Sequence, residues 1–142
     1  MRAGPALSAD EQALVDAATQ IRLAAYAPYS SFLVGAALRA ADGSVFTGAN
    51  VENAAYSPTI CAERVALPQA VVAGHRTFTA IAIVGTGDGP CTPCGVCRQT
   101  LYEFAPDLMV IAAGETGDFL RLRLDTDLLP HGFGPSRLRP SD

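Results

Sequence analysis

The apolar and polar positions along the chain change period several times, and each change marks an element. Leu14, Ala18, Ile21 and Ala25 recur at helical spacing behind Ser8-Ala-Asp-Glu11, a capping-box pattern with Ser at the N-cap and Glu three residues on. They predict a first helix from about Asp10 to Tyr26, stopped by Pro28. Phe32 to Leu38 is a short apolar run and predicts a strand. Asp42-Gly43 is a hairpin turn signal, and Val45 to Thr47 resumes as the partner strand. Ser57-Pro58-Thr59 offers a helix start, so Cys61 to about Ala73 predicts a second helix, ending at Gly74. Ala80 to Val84 and Leu108 to Ala112 are near-continuous apolar runs, the pattern of strands buried on both faces. Between them Thr92-Pro93 repeats the cap-plus-proline signal ahead of a third helix, Gly95 to Phe104. Phe119 to Leu124 alternates apolar residues with Arg121 and Arg123, which predicts an edge strand with one wet face. Beyond Asp125, Pro130, Gly132, Gly134 and Pro135 predict irregular chain or a short helix.

Helix, hairpin, then strand–helix alternation predicts an α/β class: a three-layer α/β/α domain with a mixed sheet of about five strands. At this length the whole chain, residues 1–142, reads as a single domain. Right-handed crossovers place the second and third helices side by side on one face, so their N-termini point at one spot.

Composition changes this picture in three ways. The formal net charge is −4, and all ten basic residues are arginine, with no run of them. That argues against a nucleic-acid partner. No apolar stretch approaches the roughly 20 residues of a membrane helix, and Met1 to Gln12 has no apolar signal-peptide core, which predicts no membrane partner and a cytoplasmic location. In a reducing compartment cysteines bind metal or react more often than they pair. Finally, charged residues make up only 17% of the chain against 49% apolar, which predicts an apolar face covered by another copy.

The candidate chemistry lies in the cysteines. Cys61 is followed by Ala62-Glu63-Arg64, and Pro93-Cys94-Gly95-Val96-Cys97 comes some thirty residues later. Cys94 and Cys97 share one helix face, and helix N-termini favour thiolates. Three thiolates from two helix starts make three corners of a tetrahedron for Zn²⁺, one ion per subunit, with the fourth corner open to water as in a catalytic site. Glu63 is badly placed to be a ligand beside Cys61 but well placed to take a proton from that water. The pair of segments is the three-cysteine form of the zinc deaminase signature. Three thiolates on Zn²⁺ sum to −1, which blunts its pull on water; Arg64 is expected to donate to a ligating sulfur and withdraw some of that charge. Cys91 allows a closed, structural four-cysteine site as the alternative, and otherwise reads as a thiol without a role.

Five stretches in order match one family. They are Ala25-Tyr-Ala-Pro-Tyr-Ser-Ser-Phe-Leu-Val-Gly-Ala-Ala-Leu38, Gly48-Ala-Asn-Val-Glu-Asn-Ala-Ala-Tyr-Ser57, Cys61-Ala-Glu-Arg64, Pro93-Cys-Gly-Val-Cys-Arg-Gln99 and Leu128-Leu-Pro-His-Gly-Phe-Gly-Pro135. Over nearly its whole length the chain resembles the small zinc-dependent cytidine deaminases that act on free nucleosides. The resemblance implies a homotetrameric enzyme of pyrimidine salvage, which hydrolyses cytidine and 2′-deoxycytidine to the uridines and ammonia. It implies Cys61, Cys94 and Cys97 as zinc ligands and Glu63 as proton shuttle. Asn50 and Glu52 would grip the ribose hydroxyls, and Phe32 would pack on the pyrimidine. Tyr56 and the Ala62 N–H would line the pocket, and Phe133 would reach the site of a neighbouring subunit. Pro68 departs from a regular helix, because it removes the hydrogen bond to the Arg64 carbonyl. Three alternatives stand beside this reading. One is a deaminase of a modified cytosine nucleoside or of a blasticidin-type antibiotic, against which the Asn50–Asn53 run and Arg64 argue. The others are a non-catalytic structural zinc protein and a polynucleotide editor, the last disfavoured by the acidic balance.

Overall fold

The computed structural model describes residues 5–139. Helix α1 (Ala9–Arg22) opens on the capping box: Ser8 Oγ accepts from the Glu11 N–H, and the Glu11 carboxylate accepts from the Ser8 N–H. Strands β1 (Val34–Ala40) and β2 (Val45–Ala49) form the hairpin, its turn held by Asp42 Oδ1, which accepts from the Ser44 N–H, and by Gly43 at φ +93°. Helix α2 (Ala62–Val72), β3 (Phe78–Gly85), α3 (Gly95–Tyr102), β4 (Met109–Ala113) and β5 (Phe119–Arg123) follow. The chain then makes a π-helical turn at Leu124–Leu128 and a 3-10 turn at Pro135–Arg137.

The five strands form one mixed sheet in the order β2-β1-β3-β4-β5, with β3 and β4 parallel and the other neighbours antiparallel. α1 covers one face, where Leu14, Val15 and Ala18 meet Ala37, Ala82, Val84 and Ile111. α2 and α3 cover the other, with Ala66, Leu67 and Leu101 against Ala36, Leu38, Ile81, Ile83 and Val110. The alternation along β1 sends Gly35 and Ala37 to one helix layer and Ala36 and Leu38 to the other.

Two glycines set how close the layers come. A Cβ on Gly35 would lie 2.0 Å from the Ala18 carbonyl oxygen. A Cβ on Gly48 would lie 2.6 Å from the Ala62 carbonyl oxygen and 2.7 Å from the Ala66 nitrogen. The absence of a side chain at 48 therefore seats the first turns of α2 directly on β2, and with them Cys61. Arg121 on the edge strand does not simply face water. It forks onto Glu11 at 2.7 and 2.8 Å and ties the start of α1 to β5.

Three expected boundaries shift. α1 ends at Arg22, four residues before Tyr26, because Tyr26 is drawn out to pair with the segment after β2: its N–H donates to the Asn50 carbonyl, and its carbonyl accepts from the Glu52 N–H. Ser57 does not start α2. Residues 54–58 form turns, Ile60 pairs with Val51, and Cys61 itself is the N-cap. Likewise Cys94, not Thr92, caps α3, whose end lies at Tyr102 rather than Phe104. Pro68 leaves α2 unbroken through Val72.

Candidate active site

β3 and β4 run parallel, and their carboxyl ends open where α2 and α3 begin, the usual place for ligands in α/β sheets. Cys61 and Cys94 sit at the two N-caps in extended conformation, and neither side chain caps its own helix. Both thiols are thus free to turn to one point, joined there by Cys97 from the first turn of α3. The three sulfurs lie within 4.8 Å of one another, and Cys61 Sγ stands 3.8 Å from Cys94 Sγ. Two thiolates each about 2.3 Å from a tetrahedral zinc are separated by about 3.8 Å, so this pair already has the spacing of a zinc site. Soft thiolates also select zinc over magnesium or calcium. Among the described residues Cys91 is not in the group, so a closed four-cysteine site does not form.

The electrostatics fit the same ion. The Cys61 thiol is pushed down to about 5, first by the Cys97 thiol that hydrogen-bonds to it and then by Arg64. Cys97 is pushed up, chiefly as the donor to Cys61 and further by burial. Thiols packed this tightly cannot all ionise without a cation among them. Arg64 Nη2 donates to Cys61 Sγ at 3.5 Å, the contact expected of a group that withdraws thiolate charge. Arg98, also beside a cysteine in sequence, instead binds the Pro93 and Leu128 carbonyls and pins the tail to α3.

Glu63 lies in the first turn of α2, 4% exposed. Burial raises its pKa, and the negative charge on Cys61 adds to the rise. A buried carboxyl with a raised pKa, beside a group of metal-ligating thiols, is suited to accepting and returning a proton. It faces a cavity of about 190 Å³ lined by Val34, Asn50, Ile60, Cys61, Cys91 and Cys94, with Ala62 also in its wall. Next to it lies a second depression of about 260 Å³, formed by Tyr29, Ser30, Glu52, Asn53 and Tyr56. Thr59 lines both. The first is smaller than the roughly 300 Å³ of an ordinary small-molecule pocket, so a ligand that uses both must have two parts.

The remaining residues singled out above fall in different places. Asn50 and Glu52 flank Val51, which is bridged to Tyr26 on one side and to Ile60 on the other. Asn50 is 9% exposed. Its Oδ1 accepts from the Val34 N–H and its Nδ2 donates to the Phe32 carbonyl, both at 2.9 Å. The Glu52 carboxylate accepts from the Ser30 hydroxyl, from the Tyr29 N–H at 2.9 Å and from the Ser30 N–H at 3.2 Å, and these bonds, Ser30 first, hold it below the usual carboxylate range. Phe32 lines neither hollow; its ring end lies beside Gly85, as does the cavity-lining Cys91, and a Cβ on Gly85 would lie 2.9 Å from Phe32 Cζ and from Cys91 Sγ. Tyr56, at φ +65°, lines the second depression and not the cavity. Phe133 lines neither and is 56% exposed on the far side of α3, where its carbonyl accepts from Gln99 Nε2. Cys91 lines the cavity, its thiol pushed up to about 11 by burial and then by Glu63 and Cys61. Cys91, put forward by the sequence as a possible fourth thiol, lines the cavity instead, and Ser30 reaches the site through Glu52, 22 residues away in sequence.

Residues 8–113 match the family model of the cytidine and deoxycytidylate deaminase zinc-binding region. The chain is 47% identical over 125 residues to a cytidine deaminase of Halalkalibacterium halodurans, covering 87% of this chain and 94% of that protein. It is 42% identical to one of Sporosarcina psychrophila, over 91% and 95% of the two chains. The crystal structure of cytidine deaminase from Burkholderia pseudomallei superposes with a TM-score of 0.83 at 48% identity, covering 89% of this chain and all of that one.

Proposed function

The chain belongs to the family of zinc-dependent cytidine and deoxycytidylate deaminases and is an enzyme of it; on that premise we propose that its two-part pocket hydrolyses cytidine and 2′-deoxycytidine to uridine and 2′-deoxyuridine, releasing ammonia. The observation that carries the reading is the placement of buried Glu63 beside three converging thiols in the wall of a cavity that shares Thr59 with the Glu52 depression. The base occupies the cavity and the sugar the depression.

Cys61, Cys94 and Cys97 hold the zinc, with Arg64 supporting Cys61. When bound, the ion supplies a water acidified towards neutrality. Glu63 takes a proton from the attacking water and passes it to ring N3, which makes C4 more electrophilic. The water oxygen bonds to C4; Glu63 then takes the remaining proton from the new C4 hydroxyl and gives it to the amine as the C4–N bond breaks, leaving the C4 carbonyl and ammonia. One carboxylate acts as base and then as acid, which its burial suits. The Ala62 N–H and Asn50 orient the base, Glu52 takes a sugar hydroxyl, and Phe32 covers the ring from the rim.

The enzyme works in the cytoplasm as a homotetramer in which Phe133 completes the site of a neighbouring copy. In support, Phe133 lines neither the cavity nor the depression of its own chain, and Leu23, Val72, Phe133 and Leu138 are all exposed apolar side chains. No helix among the described residues is long and apolar enough to cross a membrane.

The test is ammonia release from cytidine, 2′-deoxycytidine, cytosine and blasticidin S by the zinc-loaded protein. Turnover of the two nucleosides is expected; silence on both overturns the proposal, and turnover of blasticidin S alone replaces it.

A further inference from the structure

The segment carrying Phe32 belongs to no helix or strand, and side chains hold its backbone. The Phe32 N–H donates to Ser30 Oγ at 3.0 Å, and the Phe32 carbonyl accepts from Asn50 Nδ2. The Leu33 N–H donates to Thr86 Oγ1 at 2.9 Å, and the same hydroxyl donates to the Leu33 carbonyl at 3.2 Å. Asn50 Oδ1 takes the Val34 N–H. Ser31, just before Phe32, sits at φ +59°, a conformation a non-glycine residue keeps only when its surroundings impose it.

Ser30 is the hinge of this arrangement. Its one hydroxyl proton goes to Glu52, which turns its lone pairs to the Phe32 N–H. The carboxylate at the sugar depression and the ring at the rim of the base cavity are therefore set by a single hydroxyl. Thr86, from the residue after β3, fixes the other side of the ring by bracketing Leu33.

We propose that Ser30 and Thr86 are positioning residues for the substrate. They hold Phe32 and Glu52 in the arrangement that receives the nucleoside, so that binding does not have to order the rim. The inference rests on the reading of the pocket as a nucleoside site. Neither hydroxyl has its role in proton transfer, so their loss is felt in binding and not in the chemical step.

The experiment measures cytidine kinetics, calorimetric binding of uridine, zinc content and thermal stability for the full chain and its variants. Ser30→Ala removes both the bond to Glu52 and the one from the Phe32 N–H, and is expected to raise KM for cytidine and Kd for uridine about tenfold, with kcat within about twofold and zinc unchanged. Thr86→Val should move the same constants in the same direction, while Ser30→Thr and Thr86→Ser, which keep the hydroxyls, restore most of the loss. Added to Phe32→Ala, Ser30→Ala should cost less than it does alone, because part of its effect acts through that ring and the rest through Glu52. Unmoved KM and Kd in zinc-loaded, folded Ser30→Ala and Thr86→Val overturn the inference, as do a loss confined to kcat and full additivity with Phe32→Ala. A wild-type chain inert towards cytidine overturns the functional reading and this inference with it; an active wild type with an unmoved Ser30→Ala overturns the inference alone.

Discussion

The thiol corner and the sugar rim lie side by side and are built on different principles. The corner hangs on regular structure: Cys61 and Cys94 are the N-caps of α2 and α3, Cys97 is in a first turn, and both helices are seated on the sheet by a continuous apolar layer. The rim has no regular structure. Asn50, Glu52 and Thr86 hold it by bonds from side chain to backbone that span 16 to 53 residues of sequence, and Ser30 links Glu52 to the Phe32 N–H two residues on. Position at the corner follows from the fold, whereas position at the rim follows from a few polar side chains. A change in packing should therefore damage the corner, and a change of one polar group should damage the rim.

The largest expected effect removes chemistry and leaves both regions standing. Glu63→Gln should lower kcat by about a thousandfold, within the usual range for a lost general acid–base, while retaining zinc and uridine binding. Steady-state assays with metal analysis read it, and a variant within tenfold of wild type would remove Glu63 from the proton path.

Next comes the packing beneath the corner. Gly48→Ala places a methyl group inside contact distance of the Ala62 carbonyl and the Ala66 nitrogen, both backbone atoms that cannot step aside. It should cost about 3 kcal/mol in chemical denaturation and reduce zinc retention. Lost stability with full zinc affinity would show that the corner does not depend on the seating of α2.

Gly85→Ala separates the regions more finely. The added methyl group meets Phe32 Cζ and Cys91 Sγ, so the ring must move. KM for cytidine should rise about tenfold, roughly 1.4 kcal/mol, with zinc content unchanged. Loss of zinc instead would mean that rim and corner are mechanically one.

The smallest effect lies outside both. The guanidinium of Arg121 and the capping-box bonds hold the Glu11 carboxyl at about 2, below its ordinary 4.5. A depressed carboxylate stabilises the fold above its unfolded pKa and loses that contribution as pH falls through the folded one. Glu11→Gln should therefore lower stability by about 1 kcal/mol at neutral pH, solvent screening included. The gap to wild type should close between pH 4.5 and about 2, with KM unmoved throughout. Melting curves across that range check it; a constant gap would mean that the ion pair contributes nothing.

The same contrast governs what the amino-acid order reveals. The capping box of α1, the Asp42-Gly43 turn and the two buried strands are local signals, and the architecture follows from them. α2 and α3 begin within a residue of the expected Cys61 and Gly95, but the cap signals ahead of them, Ser57 and Thr92, are not their caps, for a physical reason. N-cap rules look for an oxygen that can accept from the first-turn N–H groups, whereas Cys61 and Cys94 occupy those positions with sulfurs that face each other. Ser57 and Thr92, which have such oxygens, stand outside the helices. α1 was drawn too long because helical periodicity carries no trace of the bridge that pulls Tyr26 towards Val51. Cys94 and Cys97 could be read as a pair from their spacing; the part played by Ser30 and Thr86 depends on Glu52 and Leu33, partners 22 and 53 residues away.

The side-chain scaffolding of Ser31 to Leu33 has a consequence for how such a site changes over generations. A rim that hangs on a few hydroxyl and amide groups has its shape written in a few codons, each alterable without disturbing a strand or a helix. The thiol corner rests on two helices packed against the whole sheet, so no single polar group sets its shape. New sugars or altered bases are thus within reach of single substitutions at Ser30, Asn50, Glu52 or Thr86, while the reaction they are brought to stays the same.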